Sequence, residues 1–365
     1  MSAHKAGIRT IVIGPTKTSL DENVHGVEIY ALRQRRGRMA RRTFAPFEAF
    51  AKIRSLRPKI VHFHDPEFLL IGLILKALGY KVIWDVHEYY SEVKTAHMKP
   101  GPLRSLKRIL ISALVEKGPC AIFDRSVFPT KSLRTVIRDE TDAVACVNLL
   151  PVEEFPDAVS QPAKEYDLIF MGTMSPFRAG PFMEMVDILC RRRSGFRAAL
   201  LGVPGITQEW MQANAHSALA LEAIEFLPRV PHSEVAGCLR RARIGFNYHP
   251  MERRFQVALP MKVYEYMACG IAVVCTRFPE LAEQFTQGEI VFVEGDNQAS
   301  YAEAILTLLE NPEELDRVGR AGEEAVRIRL NWERSEAPKL IAMYRELLAP
   351  YAGQGTRGGR ATPPR

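Results

Sequence analysis

The feature that most restricts this chain is a repeated alternation of very short apolar runs with amphipathic segments of helix length. Residues 8–13, 60–63, 81–84, 121–123 and 126–128 read as strands or pieces of strands, and 46–55 and 69–78 read as helices. Gly79 stands where a helix closes in the left-handed conformation. Strands this short and apolar are buried on both faces, which requires a parallel sheet with helices above and below. The chain is therefore α/β and doubly wound. Composition breaks at 149–164, which holds three prolines, and a second series follows at 166–171, 198–201, 223–226, 244–247, 272–275 and 290–292. Helices are expected between them at 181–191, 260–268 and 300–309. With about 150 residues per domain, a length of 365 fits two. The division expected is 1–160, 161–335, a closing helix at 336–350 and a tail at 351–365, rich in Gly, Arg and Pro and expected to lack order. Two such halves would face a central cleft, and ligands of these sheets bind beyond the carboxyl ends of the strands.

Composition narrows the class of function. No apolar run approaches the roughly 18 residues of a membrane span, and no leader pattern opens the chain. The six cysteines form no C-x-x-C pair, so neither disulfides nor structural zinc are expected, and the reading is cytoplasmic. The net charge is +7. Arg33, Arg35, Arg36, Arg38, Arg41 and Arg42 concentrate it, which suits a solvated surface, an anionic lipid or a phosphorylated substrate. Nucleic acid is not expected, because no aromatic residues interleave with the arginines and no zinc-finger or RNP motif occurs. In 102–115, Leu103, Leu106, Ile109, Leu110 and Leu114 share a helical face beside Arg104, Lys107 and Arg108. Most helices of this pattern cover a core; the minority reading is peripheral contact with the anionic inner face of the plasma membrane.

Three segments carry polar groups at strand ends or helix starts. The first pairs His62, His64, Asp65 and Glu67 with Asp85, His87 and Glu88, each set directly after a buried strand. A metal site from His62, His64, Asp65, Asp85, His87 and Glu88 is conceivable. It is discounted, because His62 and His64 alternate with Phe63 and share one strand face. In the second, 258–270, Pro260 opens a helix and Gly270 ends it. Free amides at its start favour a phosphate, Lys262 adds a full charge, and Glu265 could accept from sugar hydroxyls. A Lys262–Glu265 surface pair explains the same spacing equally well. The third, 170–180, is a strand, a loop and a helix, in which Gly172 and Gly180 permit close backbone approach and Arg178 could clamp a diphosphate.

In this order the segments resemble the retaining GT-B glycosyltransferases of family 4, over residues 6–348. HFHDPEFLLIGLILKALGYKVIWDVHE and ALPMKVYEYMACGIAVV carry most of the resemblance, supported by FMGTMSPFRAG, by IEFLPRVPHSEVAGCLRRARIGF and by Asn331-Trp332-Glu333. Within the family, the chain is most similar to bacterial members that build surface polysaccharides or glycoconjugates. The resemblance implies two Rossmann-like domains, the first for a glycan or lipid-linked acceptor and the second for a UDP- or GDP-linked sugar donor. By position, His87 matches the active-site histidine, Glu265 the second Glu of the E-x7-E motif, Arg178 a basic residue facing the diphosphate, and Gly172 the turn before it. Lys262 is added on the helix-terminus argument alone. No D-x-D pair offers a metal clamp, so metal-independent transfer without a cofactor is expected.

The chain departs from the family pattern in four places. Val257 stands where the first Glu of E-x7-E belongs, Thr173 where a basic residue is frequent, and Ala179 where a lysine is common. Residues 3–7 read as the end of a helix, before which the pattern places a strand and a glycine loop; the first domain is therefore expected to lack its first strand. Two other functions remain open on these residues. One is a GT-B enzyme of the nucleotide-sugar 2-epimerase type, and the other is a catalytically impaired binding or scaffold subunit.

Overall fold

The computed structural model describes residues 1–16, 21–33, 38–138, 143–156, 162–215, 217–286 and 288–354. They form two compact units: Met1–Val147 with Glu336–Arg365, and Asn148–Ser335. The first boundary falls ahead of the expected 160, because residues 149–156 pack on the second unit. Leu150, Val152 and Phe155 are buried there, and the Trp332 amide donates to Leu150 O at 3.1 Å. The closing helix Ala337–Leu348 is part of the first unit rather than a separate segment. Its Tyr344 meets His62, and Glu336, just before it, accepts from the Val147 amide at 2.9 Å. Residues 355–365, most of the expected tail, lie outside the described residues, as do Arg35, Arg36 and the side chains of Arg38 and Arg41.

The first unit carries two sheets. β1 (Ile11–Gly14), β2 (Glu22–Val24) and β3 (Val27–Ala31) form one, in the order β1-β3-β2, with β2 antiparallel. β4 (Ile60–Phe63), β5 (Lys81–Asp85), β6 (Arg125–Phe128) and β7 (Ala143–Ala145) form a parallel sheet in chain order. The outer edges of β1 and β4 both line one cavity of about 1210 Å³. The interruption the sequence anticipates in this domain thus lies between β1 and β4, and no described strand fills it. Of the expected strand at 121–123, Ala121 and Ile122 instead end the helix Gly118–Ile122, and Phe123 is its extended C-cap. Pro119 follows directly on the helical segment Ser112–Lys117, which this piece continues.

The second unit has one six-stranded sheet of β8 (Tyr166–Met171), β9 (Ala198–Leu201), β10 (Ile224–Leu227), β11 (Ala242–Asn247), β12 (Ala272–Thr276) and β13 (Val291–Val293). All are parallel, in the order β10-β9-β8-β11-β12-β13. Period-2 alternation sends Leu168, Phe170, Leu200 and Phe246 to the face covered by the helices Pro176–Arg192 and Gln298–Glu310. Each such side chain, buried completely, contributes roughly 1.5–3 kcal/mol. On the opposite face, the helix Met261–Ala268 packs against β12 and Pro312–Ile328. The helix expected from 181 begins at Pro176, so Gly180 is helical rather than part of a loop.

Candidate active site

In the second unit the strand order reverses between β8 and β11, the place where doubly wound sheets open a crevice beyond their carboxyl ends. Tyr266, fully buried, secures that point. The Met171 amide donates to its hydroxyl at 2.8 Å, and the hydroxyl donates to Phe246 O at 3.3 Å, joining β8 to β11 where their own ladder stops. The ring lies flat on β11 only because residue 245 is glycine; a β-carbon there would fall 2.4 Å from Tyr266 Cγ. Gly172 follows β8 with a φ of +95°, and its amide still donates to Leu201 O at 2.9 Å. A non-glycine residue would be strained in this turn.

Two cations gather at the turn. Arg178, in the first turn of Pro176–Arg192, donates through Nη2 to Thr173 O at 2.6 Å, and its Nη1 lies 3.4 Å from His249 Nδ1. Its Nε is buried with no partner. The Lys262 ammonium stands 4.0 Å over the Phe170 ring and close to the Gly172 Cα side. Burial, and then the Arg178 charge, push Lys262 down to about 7. Burial also lowers Arg178, with Arg254 adding to it, and it lowers His249 well below the usual imidazole value, with Arg178, Lys262 and Arg254 adding to it. Among the described residues no carboxylate pairs with Arg178 or Lys262. The Lys262–Glu265 surface pair does not form: Glu265 Oε1 lies 3.6 Å from His232 Nε2. Burial raises the Glu265 carboxyl, and His232 and Lys262 offset part of that. Ala179 is fully buried in the core cluster, so a lysine there would not face the turn without repacking. Sequence reading missed His249, Arg254 and Tyr266. His249 follows a strand end and Tyr266 lies in Y-E-Y-M-A, but only the neighbouring strands give either its role, and no local signal marks Arg254.

In the first unit the structure brings together His62, His64, Asp85 and His87. His62 Nε2, His64 Nδ1 and His87 Nε2 lie 3.3, 3.4 and 3.4 Å from the same Asp85 oxygen, Oδ2. Burial alone would raise the Asp85 carboxyl, but these three bonds hold it well below the carboxylate range. The bond to Asp85 raises His87 against the opposing effect of burial. Asp65 and Glu88 are exposed and do not join the cluster; they act on His87 only through their charge. His62 and Tyr344 also belong to it, with Tyr344 Oη 2.6 Å from His62 Nδ1. The Tyr344 contact could not be read locally, because 282 residues separate the pair.

Residues 2–144 match the family model described as Glycosyltransferase Family 4, and residues 182–336 match the one described as Glycosyl transferase-like. No curated protein sequence matches the chain. Among solved structures, the sucrose-phosphate synthase of Thermosynechococcus elongatus is similar at 15% identity and a TM-score of 0.75, over 96% of this chain and 91% of that one. A glycosyltransferase from Rickettsia africae is similar at 14% identity and a TM-score of 0.69, over 94% and 92%. Anabaena HepE, solved with UDP and glucose, is similar at 12% identity and a TM-score of 0.63, over 89% and 87%. At such identities the structural likeness is one of fold, while the two family matches between them span most of the chain and both describe one activity. With two Rossmann-like units, the chain belongs to the GT-B glycosyltransferases of family 4 type.

Proposed function

We propose that this glycosyltransferase moves a hexosyl group from a UDP- or GDP-linked donor to a glycan or lipid-linked acceptor, with retention, in the synthesis of cell-surface polysaccharide or glycoconjugate. The observation that carries the donor half of this reading is the pair of buried cations, Arg178 and Lys262, lacking carboxylate partners beside the Gly172 turn. Burying a cation unpaired is costly, and a diphosphate relieves that cost. As the sugar leaves, negative charge grows on the diphosphate. Fixed cations and helix amides then stabilise the transition state more than the ground state. HepE, solved with UDP and glucose, supports the donor class. In the first unit, His87 is the proposed catalytic residue, with Asp85 orienting its ring. Arg254, ion-paired to Glu252 at 2.9 Å, supplies basic character near the turn in place of Thr173 and Ala179.

A lipid-linked acceptor finds support in the helix Pro102–Ile111. None of its residues is buried, and Leu103, Leu106 and Ile109 are 70%, 55% and 63% exposed beside Arg104 and Lys107. That exposure favours lipid contact over the pattern's usual role of covering a core. No described helix is long and apolar enough to cross a membrane. An amphipathic helix of this kind lies in the lipid interface.

The test is sugar transfer from a panel of nucleotide sugars in excess chelator, with product analysis that separates transfer from epimerisation. Activity should persist in chelator. His87→Ala should lower turnover about 10²–10³-fold with the circular dichroism unchanged, and a wild-type rate in that variant would remove the assignment. Leu106→Asp with Ile109→Asp should abolish co-sedimentation with anionic vesicles; retained binding would refute the membrane contact.

A further inference from the structure

We propose that His249 is a positioning residue of the donor site. As a neutral imidazole it accepts from Arg178 and, together with Thr173 O, holds the guanidinium beside the Gly172 turn without cancelling its charge. This role rests on the reading of Arg178 and Lys262 as diphosphate-binding groups, and it names what keeps the first of them in place. Arg178 Nη2 donates to Thr173 O at 2.6 Å, and Nη1 lies 3.4 Å from His249 Nδ1. A guanidinium has only donors, so Nδ1 can meet it only through its lone pair, which puts the imidazole proton on Nε2. Both ends of the fork are then engaged, and each Nη keeps a second N–H for an incoming anion. The kind of acceptor decides the outcome. A carboxylate would grip Arg178 more firmly, but it would also cancel the charge and compete with the diphosphate. A carbonyl and a neutral imidazole fix the direction of the guanidinium and leave its full charge.

His249 is itself held by backbone and by ring. It lies two residues past β11, where its amide donates to Thr276 Oγ1 at 3.1 Å and its carbonyl accepts from the same hydroxyl at 3.2 Å. Thr276, the last residue of β12, is fully buried, and Tyr301 Oη stands 2.8 Å from its hydroxyl. The Phe255 ring lies 4.6 Å from the imidazole, centre to centre, tilted by 33°. These contacts fix the ring independently of Arg178, as a positioning group requires. Burial, with the charges of Arg178, Lys262 and Arg254, keeps the imidazole neutral. A protonated ring would turn a donor and a second charge toward Arg178, so the contact belongs to the neutral form alone.

The test is calorimetry of the full chain with UDP and with GDP, on Arg178→Ala, His249→Phe, His249→Asn and the double variant Arg178→Ala/His249→Phe. Phenylalanine keeps a ring against Phe255 and removes the acceptor. Asparagine restores an oxygen near the place of Nδ1 and carries no charge. His249→Phe should weaken the nucleotide about tenfold with the circular dichroism unchanged, and His249→Asn should recover most of that loss. In the Arg178→Ala background His249→Phe should cost nothing further, because the group it positions is gone. Wild-type affinity in His249→Phe, with Arg178→Ala weakened, would overturn the positioning role and leave the donor-site reading standing. Equal losses in both His249 variants, additive to that of Arg178→Ala, would assign His249 to packing alone and overturn the role as well. No binding of either nucleotide to the wild-type chain, or unchanged affinity in Arg178→Ala, would remove the donor-site reading and this role with it.

Discussion

The two units solve the same packing problem with unequal completeness. The second closes a continuous six-stranded sheet whose β8, β9 and β12 are buried along almost their whole length. The first splits its strands into two sheets, and Val12 of β1 is 45% exposed beside the cavity. Their chemistry differs in the same sense. The second unit gathers cations without carboxylate partners around a glycine turn, which is the ground for the proposed anion site. The first gathers three imidazoles around one carboxylate, a cluster that satisfies itself. In the second unit the unpaired charge sits at a switch point whose backbone is fixed by Tyr266 and Gly245.

The largest effect that could break this contrast is on turnover. Arg178→Ala should lower it about 10²–10³-fold and weaken UDP binding in calorimetry; a near-normal rate would mean that the second unit's cations are not a receptor. Next comes stability. Leu168→Ala in β8, fully buried, should cost about 2–5 kcal/mol in chemical denaturation. Val12→Ala in β1 should stay within about 0.5 kcal/mol, and equal costs would erase the difference between the sheets. The smallest effect concerns pH. Lys262, free at about 7, loses its proton as pH rises through that value, whereas a bound diphosphate favours the charged form and raises it. UDP binding above pH 7 should therefore take up a proton, and affinity should fall by up to about tenfold per pH unit. Calorimetry at pH 8 in buffers of different ionisation heat reads the proton directly, and a pH-independent affinity between 7 and 9 would exclude Lys262.

Much of the fold was legible locally. Residues 60–63, 166–171 and 198–201 form strands with the expected bounds, each a short, mostly apolar run of strand length. The segment 121–123 misled because a short apolar run reads equally as strand or buried helix, and here Ala121 and Ile122 continue the helical segment Ser112–Lys117. The proposed donor-side residues Gly172, Arg178, Lys262 and Glu265 stand where the sequence places them, after a strand or in the first turns of a helix. His249 and Tyr266 were not legible, since their roles depend on which strands become neighbours. The amphipathic helix Pro102–Ile111 was visible as a pattern, but a pattern does not say whether its apolar face meets a core.

By itself, then, the sequence determined most of the second unit's strands, the doubly wound class and the positions of polar groups at strand ends, all of which follow from periodicities of a few residues. The tertiary structure alone decided three further things. It placed the gap that the sequence anticipates between β1 and β4. It gave the helix Ala337–Leu348 to the first unit, where Tyr344 meets His62. It drew three histidines onto one oxygen of Asp85. Each depends on contacts between residues far apart in the chain, whose free energy no local pattern encodes.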